Sequence, residues 1–200
     1  MGRPDFEMPV LLTPRLRLRP VLKADSVGLF RVFGDPEAMR FWDAPFRRTV
    51  AETAQLIRGF ATDAPAACCS WALTYRDEQH PIGVVRLIHA DRSSRRAELR
   101  FILARPHWHQ GLMAETLHRV VDHGFVDLGL NRLEAGSHPD DARCRSLLER
   151  LGFQWEGTLR QKVFVDPCYR DMAMFSLLAH EWLSGSTRAL GRPRANSAAG

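Results

Sequence analysis

The chain has 200 residues, 45% apolar and 26% charged, and a formal net charge of +5. That length suits one domain, or one domain with a tail, able to build a core without disulfide or metal staples. The apolar runs are too short to span a bilayer, and the first eight residues carry charge and proline where a signal peptide carries an apolar stretch. A cytoplasmic protein with no membrane association is expected. Cys68, Cys69, Cys144 and Cys168 form no CxxC pair and no regular framework, which argues for free thiols and against zinc. The basic excess, much of it in C-terminal arginines, favours an anionic partner without separating nucleic acid from a phosphate-bearing small molecule.

In chain order, residues 11–20 alternate apolar and basic, the pattern of a half-buried strand. Arg15, Arg17 and Arg19 fall on its solvated face; a nucleic-acid surface is the less favoured use of that stripe. Asp25 resembles a helix N-cap, and Val27, Leu29, Phe30 and Phe33 give helical spacing up to Gly34-Asp35-Pro36. Pro36 is placed to open a short helix carrying Met39, Phe41 and Trp42. Residues 49–60 read as a further helix, with Thr49 and Glu52 as a capping box.

The pattern then switches to three strands, 69–75, 82–89 and 97–104, joined by polar turns as antiparallel hairpins. A helix over 112–128, a strand over 131–137, a helix over 141–151 ended by Gly152, and two strands over 153–165 and 169–178 complete the domain. From Ser184 the composition turns to Ser, Gly, Arg, Pro and Ala, the mark of a disordered tail. The expected organisation is a lead over 1–10, one α/β domain over 11–183 built on a single sheet, and a tail over 184–200.

The run Arg105-Pro106-His107-Trp108-His109-Gln110-Gly111-Leu112-Met113-Ala114-Glu115 lies between a strand and a helix start. The first N–H groups of a helix have no helical partner, and the helix dipole favours negative charge there, so this junction suits a phosphate. His107 and His109 form an HxH pair with no supporting ligand pattern, so no metal is expected.

Four stretches in order resemble the GNAT N-acetyltransferase superfamily, within it the RimJ/RimL-like branch. They are Thr13 to Pro20; Glu98 to Leu103 with Trp108 to Glu115; Asp141 to Phe153; and Glu156-Gly157-Thr158-Leu159-Arg160 with Asp171 and Glu181-Trp182. The resemblance implies a mixed, mostly antiparallel, splayed sheet of about seven strands flanked by about four helices. It implies acetyl-CoA as cosubstrate, no metal and a capacity to dimerise. Cofactor contacts would fall on Ile102, Leu103, Ala104, Trp108, His109, Gln110, Gly111, Leu112, Met113, Ala114, Asp141 and Cys144. The chain departs from the branch at several positions. His109 stands for a common glycine, Met113 for a small residue, Asp141 for asparagine, Cys144 for serine, and Arg100 for a frequent glycine.

The implied chemistry is direct transfer of an acetyl group to a primary amine, either a protein N-terminal α-amine or a small-molecule amine. It needs a neutral amine, a polarised thioester and a proton for the leaving thiolate. An α-amine, with a pKa of about 7.7–8.0, asks far less of a base than a lysine near 10.4. Glu98 is the base candidate, or it pairs with a neighbouring arginine on the sheet face. Cys144 is the proton-donor candidate, or a small buried helix residue. Tyr169 is a second donor candidate, or packs on an edge strand. Trp42 and Phe46 either line the acceptor mouth or cap a core. The rival expectation is a non-catalytic acetyl-CoA-binding module; a nucleic-acid partner lacks any recognition motif.

Overall fold

The computed structural model describes residues 8–62, 69–91 and 93–189. Among them eight strands form one sheet in the order β1-β2-β3-β4-β5-β6-β8-β7. The strands are β1 (Leu11–Leu12), β2 (Leu16–Pro20), β3 (Cys69–Tyr75), β4 (Gly83–Asp91), β5 (Arg96–Leu103), β6 (Arg132–Ser137), β7 (Gln154–Val165) and β8 (Cys168–Leu178). The helices are α1 (Ser26–Phe33), α2 (Val50–Thr62), α3 (Leu112–Asp122), α4 (Ala142–Arg150) and α5 (Ala179–Ala189). All strand pairs are antiparallel except β5 with β6, the mixed α/β architecture that the sequence leads one to expect. No helix among the described residues is long and apolar enough to cross a membrane.

Strand alternation sends the two faces of the sheet to two cores. Leu16, Leu18, Trp71, Leu73, Val85, Leu99 and Leu103 pack with Leu117, Val120, Val121 and Phe125, the apolar stripe of α3 and the turn after it. On the other face Val84 and Ile102 pack with Leu29, Val32 and Phe33 of α1 and Ile57 of α2. The predicted 112–128 helix is one continuous rod only to Asp122. Its last turn widens into a π-turn over His123–Asp127, where Leu128 N reaches His123 O at 3.0 Å and His123 Nδ1 meets Asp127 Oδ2 at 2.6 Å.

Five expectations change at the N-terminal half and one at the C-terminus. Residues 11–20 are a hairpin of two strands, because Thr13 turns the chain by bonding Leu16 through backbone and hydroxyl. The arginine stripe is solvated at Arg15 and half-buried at Arg17, but not solvated at Arg19. Arg19 is buried and grips both oxygens of Asp25, at 2.8 and 2.7 Å, while Arg15 binds Glu115. Asp25 precedes α1 as foreseen, but its carboxylate serves Arg19 and Leu22 N rather than the helix. After Pro36 there is no helix. Asp35 Oδ1 accepts from Glu37 N and Ala38 N, and a chain of turns carries Met39, Phe41 and Trp42. At the C-terminus α5 continues through Ser184 to Ala189, past the point where the composition shifts. The remaining tail, residues 1–7 of the lead and Cys68 lie outside the described residues. The capping box is half formed. Glu52 N binds Thr49 Oγ1 at 3.1 Å, but the Glu52 carboxylate takes Arg48 N at 2.8 Å.

A charge cluster ties β6 to the β7–β8 hairpin. Arg132 grips both oxygens of Glu156 at 2.8 and 2.6 Å and reaches Glu134 at 2.8 Å, and Ser176 Oγ donates to Glu156 at 2.7 Å. The Arg132 hydrogen bonds, helped by Ser176, hold the Glu156 carboxyl down at about 2. A depressed carboxyl contributes stability that is complete above its unfolded value and lost as pH falls through the folded one. The thermal midpoint is therefore expected to fall between about pH 4.5 and about pH 2. Glu156→Gln should flatten that part of the profile; an unchanged acid profile would remove this role.

Candidate functional site

The site begins where the sheet opens. β5 and β6 pair only from Arg96 opposite Arg132 to Glu98 opposite Glu134, and then diverge. Ala104 N donates to Ile82 O on the β4 side at 2.8 Å. Strand alternation therefore turns the N–H groups of Phe101 and Leu103 toward the gap, and Leu103 O on that side takes Trp108 Nε1 at 2.7 Å. A cavity of about 500 Å3 occupies the gap, a size ordinary for a small-molecule site. Phe101, Ile102 and Leu103 of β5 form one wall and Cys144, Leu147 and Arg150 of α4 another. His107 to His109 and Gly111 to Ala114 lie along the loop and the start of α3, and Ala38, Phe41 and Trp42 close the opposite face.

The loop between β5 and α3 is shaped by two left-handed residues, His109 at φ 60° and Gly111 at φ 73°. The first helical bond of α3 is Glu115 N to Gly111 O at 3.1 Å, so the N–H groups of residues 111–114 are without helical partners. At His109 the same left-handed backbone is one that glycine adopts freely, whereas a side chain in that region costs about 1–2 kcal/mol. The loop is held by residues that the sequence reading did not select. Glu115 accepts from Thr13 Oγ1, from Arg15 N at 2.8 Å and from Arg15 Nε at 2.7 Å, while Arg15 Nη1 binds Gln110 O at 2.9 Å. Nothing local in the sequence announces a pairing across one hundred positions.

Partial burial pushes the Glu115 carboxyl up, but the Thr13 and Arg15 hydrogen bonds and the arginine charge together carry it below its usual value. Its contribution is therefore present at neutral pH and lost on acidification. Glu115→Gln is expected to lower the thermal midpoint at neutral pH, and the difference from the parent should shrink as acid takes the parent carboxyl through its lowered folded value. Equal midpoints at neutral pH would show that the clamp contributes nothing.

Asp141 caps α4, its Oδ1 accepting Cys144 N at 3.1 Å, the role that asparagine fills equally well. The Cys144 thiol faces the cavity, and burial pushes its pKa up to about 12, against a lowering hydrogen bond with Ser137 and with a further raising by the Asp141 charge. At pH 8 only about 0.01% of such a thiol is thiolate. Alkylation with iodoacetamide is expected to label exposed Cys168 well ahead of Cys144 by peptide mass spectrometry, because the Cys144 thiol stays protonated; equally rapid labelling of Cys144 would contradict its raised pKa.

Other sequence candidates divide. Trp42 lines the cavity, whereas Phe46 is 38% exposed and outside it. Ala104 packs in the second core and Gln110 Nε2 bonds Pro106 O at 2.9 Å, so these two side chains lie outside the lining. Glu98 sits beside the opening of the sheet, but its carboxylate faces Arg100 at 3.6 Å and does not line the cavity. Tyr169 is 65% exposed at the β7–β8 hairpin, its ring against Phe164, and is not brought to the cavity. Several lining residues were not selected as ligands, Arg143 and His107 among them. Arg143 lies over the Trp108 ring at 4.0 Å, tying α4 to the loop. His107 lines the cavity with Nδ1 3.2 Å from Tyr75 Oη, and burial, opposed by Glu78, lowers its pKa and favours the neutral ring. No cluster of three or more metal-ligating side chains occurs among the described residues.

Comparison with known proteins meets this geometry at the same elements. The acetyltransferase (GNAT) domain matches residues 15–154, which span β2 through the start of β7 and hence the whole cavity. The chain is 31% identical over 178 residues to the uncharacterized N-acetyltransferase p20 of Bacillus licheniformis, covering 88% of this chain and 99% of that protein. It is 29% identical to the ribosomal protein uS5-alanine N-acetyltransferase of Escherichia coli over 54% of this chain and 57% of that one. The crystal structure of spermidine N-acetyltransferase from Vibrio cholerae, in complex with CoA and spermine, superposes with a TM-score of 0.73 at 23% identity, covering 84% and 98% of the two chains. The splayed β5–β6 pair, the left-handed loop before α3 and the matched domain agree: the chain belongs to the GNAT acetyltransferase family and is an acyltransferase.

Proposed function

We propose that this acyltransferase takes acetyl-CoA as donor and passes the acetyl group by direct attack to a primary amine, a protein N-terminal α-amine or a small-molecule amine. The observation that carries the reading is the cavity in the β5–β6 gap, which joins a helix start suited to phosphate to an aromatic mouth on the opposite face. The residues fit such a donor. N–H groups at residues 111–114 and the α3 dipole suit a pyrophosphate, and a Cβ at Gly111 would come 3.6 Å from Arg15 Nη2, which places a cation beside the cradle. The gap-facing N–H groups of Phe101 and Leu103 can bind an extended amide-bearing arm, or the thioester oxygen as it gains charge. Acetyl-CoA supplies the activated acyl group.

The chain's own residues then set the proton traffic. A thiol at about 12 stays protonated, so Cys144 is unsuited to carry the acetyl group itself. It is also a weaker acid than an ordinary thiol, so it offers a hydrogen bond to a leaving thiolate more readily than a proton. With Glu98 paired to Arg100, an acceptor that needs little base assistance, an α-amine above all, fits best. The same two facts favour the second reading, a binding module without turnover. Thiol release over an amine panel, run beside a coenzyme A titration, separates them. Turnover on any amine supports transfer, and tight binding with no turnover on any amine supports the module.

A further inference from the structure

The acceptor mouth carries a pattern that neither core packing nor cofactor binding requires. The segment between α1 and α2 has no regular structure, and ion pairs tie it to β5 and its following turn. Asp35 pairs with Arg105, and Asp43 pairs with Arg100. Arg100 also faces Glu98 at 3.6 Å and lies 5.0 Å from the centre of the Trp42 ring. Glu37, the remaining carboxylate of this segment outside α2, faces Arg40 at 3.8 Å. Each carboxylate around the mouth thus already has an arginine.

Two of the aromatic rings lining the cavity, Trp42 and Phe41, are taken in the same way. Trp42 has the Arg100 guanidinium over it, and Phe41 has Arg40 at 5.1 Å and the His138 ring stacked at 5.1 Å. Along α4 the cavity is lined by Arg143 and Arg150, both exposed, against one carboxylate, Asp141, which caps the helix. A polyamine brings a second or third ammonium that must leave water. It binds only where carboxylates or open aromatic faces replace its hydration.

Resting on the transfer reading above, we propose that Arg100 is a specificity-determining residue and that the acceptor is a primary amine whose other groups bear no positive charge, so that polyamines are excluded. Arg100 acts by neutralising Asp43 and Glu98 and by covering Trp42, which leaves no site for a second cation. Removing it would free two carboxylates and one aromatic face beside the mouth, which are the parts a second ammonium needs.

The test compares kcat/KM for spermidine with that for short peptides having a free N-terminal alanine or serine followed by glutamate or by lysine. It uses the full chain and its Arg100→Met and Arg100→Lys variants, with coenzyme A affinity measured for each. The parent is expected to favour the glutamate peptide over spermidine at least tenfold. Arg100→Met should shift that ratio at least tenfold toward spermidine through the amine KM, at unchanged coenzyme A affinity, and Arg100→Lys should keep the parent order. Preference of the parent for spermidine, or an unshifted ratio in Arg100→Met with coenzyme A still bound, overturns the proposal. Should Arg100→Met lose coenzyme A binding, the parent's ratio and that of Arg100→Lys decide alone. Coenzyme A binding with no amine acetylated by the parent overturns the transfer reading itself, and the specificity proposal falls with it.

Discussion

Gly111→Asp is expected to raise the dissociation constant for coenzyme A about 100-fold, a loss of about 2.7 kcal/mol, with the fold retained. Two separate costs add. Gly111 sits at φ 73°, where a side chain costs about 1–2 kcal/mol, and that strain falls on the loop rather than on a core. The new carboxylate would also stand at the start of α3, beside the N–H groups assigned to the pyrophosphate, and repel a like charge across a few ångströms. Space is not the issue, since the nearest atom to an added Cβ is Arg15 Nη2 at 3.6 Å. Gly111→Ala separates the two costs, because it carries the strain without the charge and should lose about tenfold. Titration calorimetry measures both variants. Unchanged affinity in Gly111→Asp would remove the loop from the donor site.

Asp25→Ala is expected to lower the unfolding free energy by about 3–5 kcal/mol, and the thermal midpoint by roughly 10 °C. Asp25 accepts two short bonds from Arg19 and one from Leu22 N, and both side chains are buried. Removal of the carboxylate leaves a buried guanidinium with only the Pro20 and Gln79 carbonyls. The site links β2, the entry to α1 and the turn before β4, so three elements loosen together. The double variant Arg19→Met, Asp25→Leu should recover much of the loss, because an apolar pair has no charge to desolvate. Equilibrium denaturation reads both; a loss below about 1 kcal/mol for Asp25→Ala would mean that water reaches the guanidinium.

Much of the architecture was legible because it depends on short-range pattern. Strand-like stretches bounded by polar turns gave β3, β4 and β5, and the 3.6 spacing of Leu117, Val120, Val121 and Phe125 gave α3. The reading failed where a local pattern was satisfied by a distant partner. An alternating Leu-Arg-Leu-Arg run looks the same whether its arginines meet water or, like Arg19, a buried aspartate. Trp42 and Phe46 stand four positions apart in one irregular segment, yet only Trp42 lines the cavity, and Tyr169 looked like a donor until the β7–β8 hairpin carried it to the surface.

The sequence by itself determined the order of elements from β3 to β8, the helix start after Gly111 and the family likeness, because each is written in residues adjacent along the chain. The tertiary structure alone decided that β5 and β6 part after Glu98, that Arg15 and Glu115 clamp the loop, that the Cys144 thiol is held protonated, and that Arg100 pairs with Asp43 and Glu98 beside Trp42. Those outcomes depend on which groups are brought within a few ångströms and removed from water. Charge pairing and desolvation act through space, and sequence spacing carries no record of them.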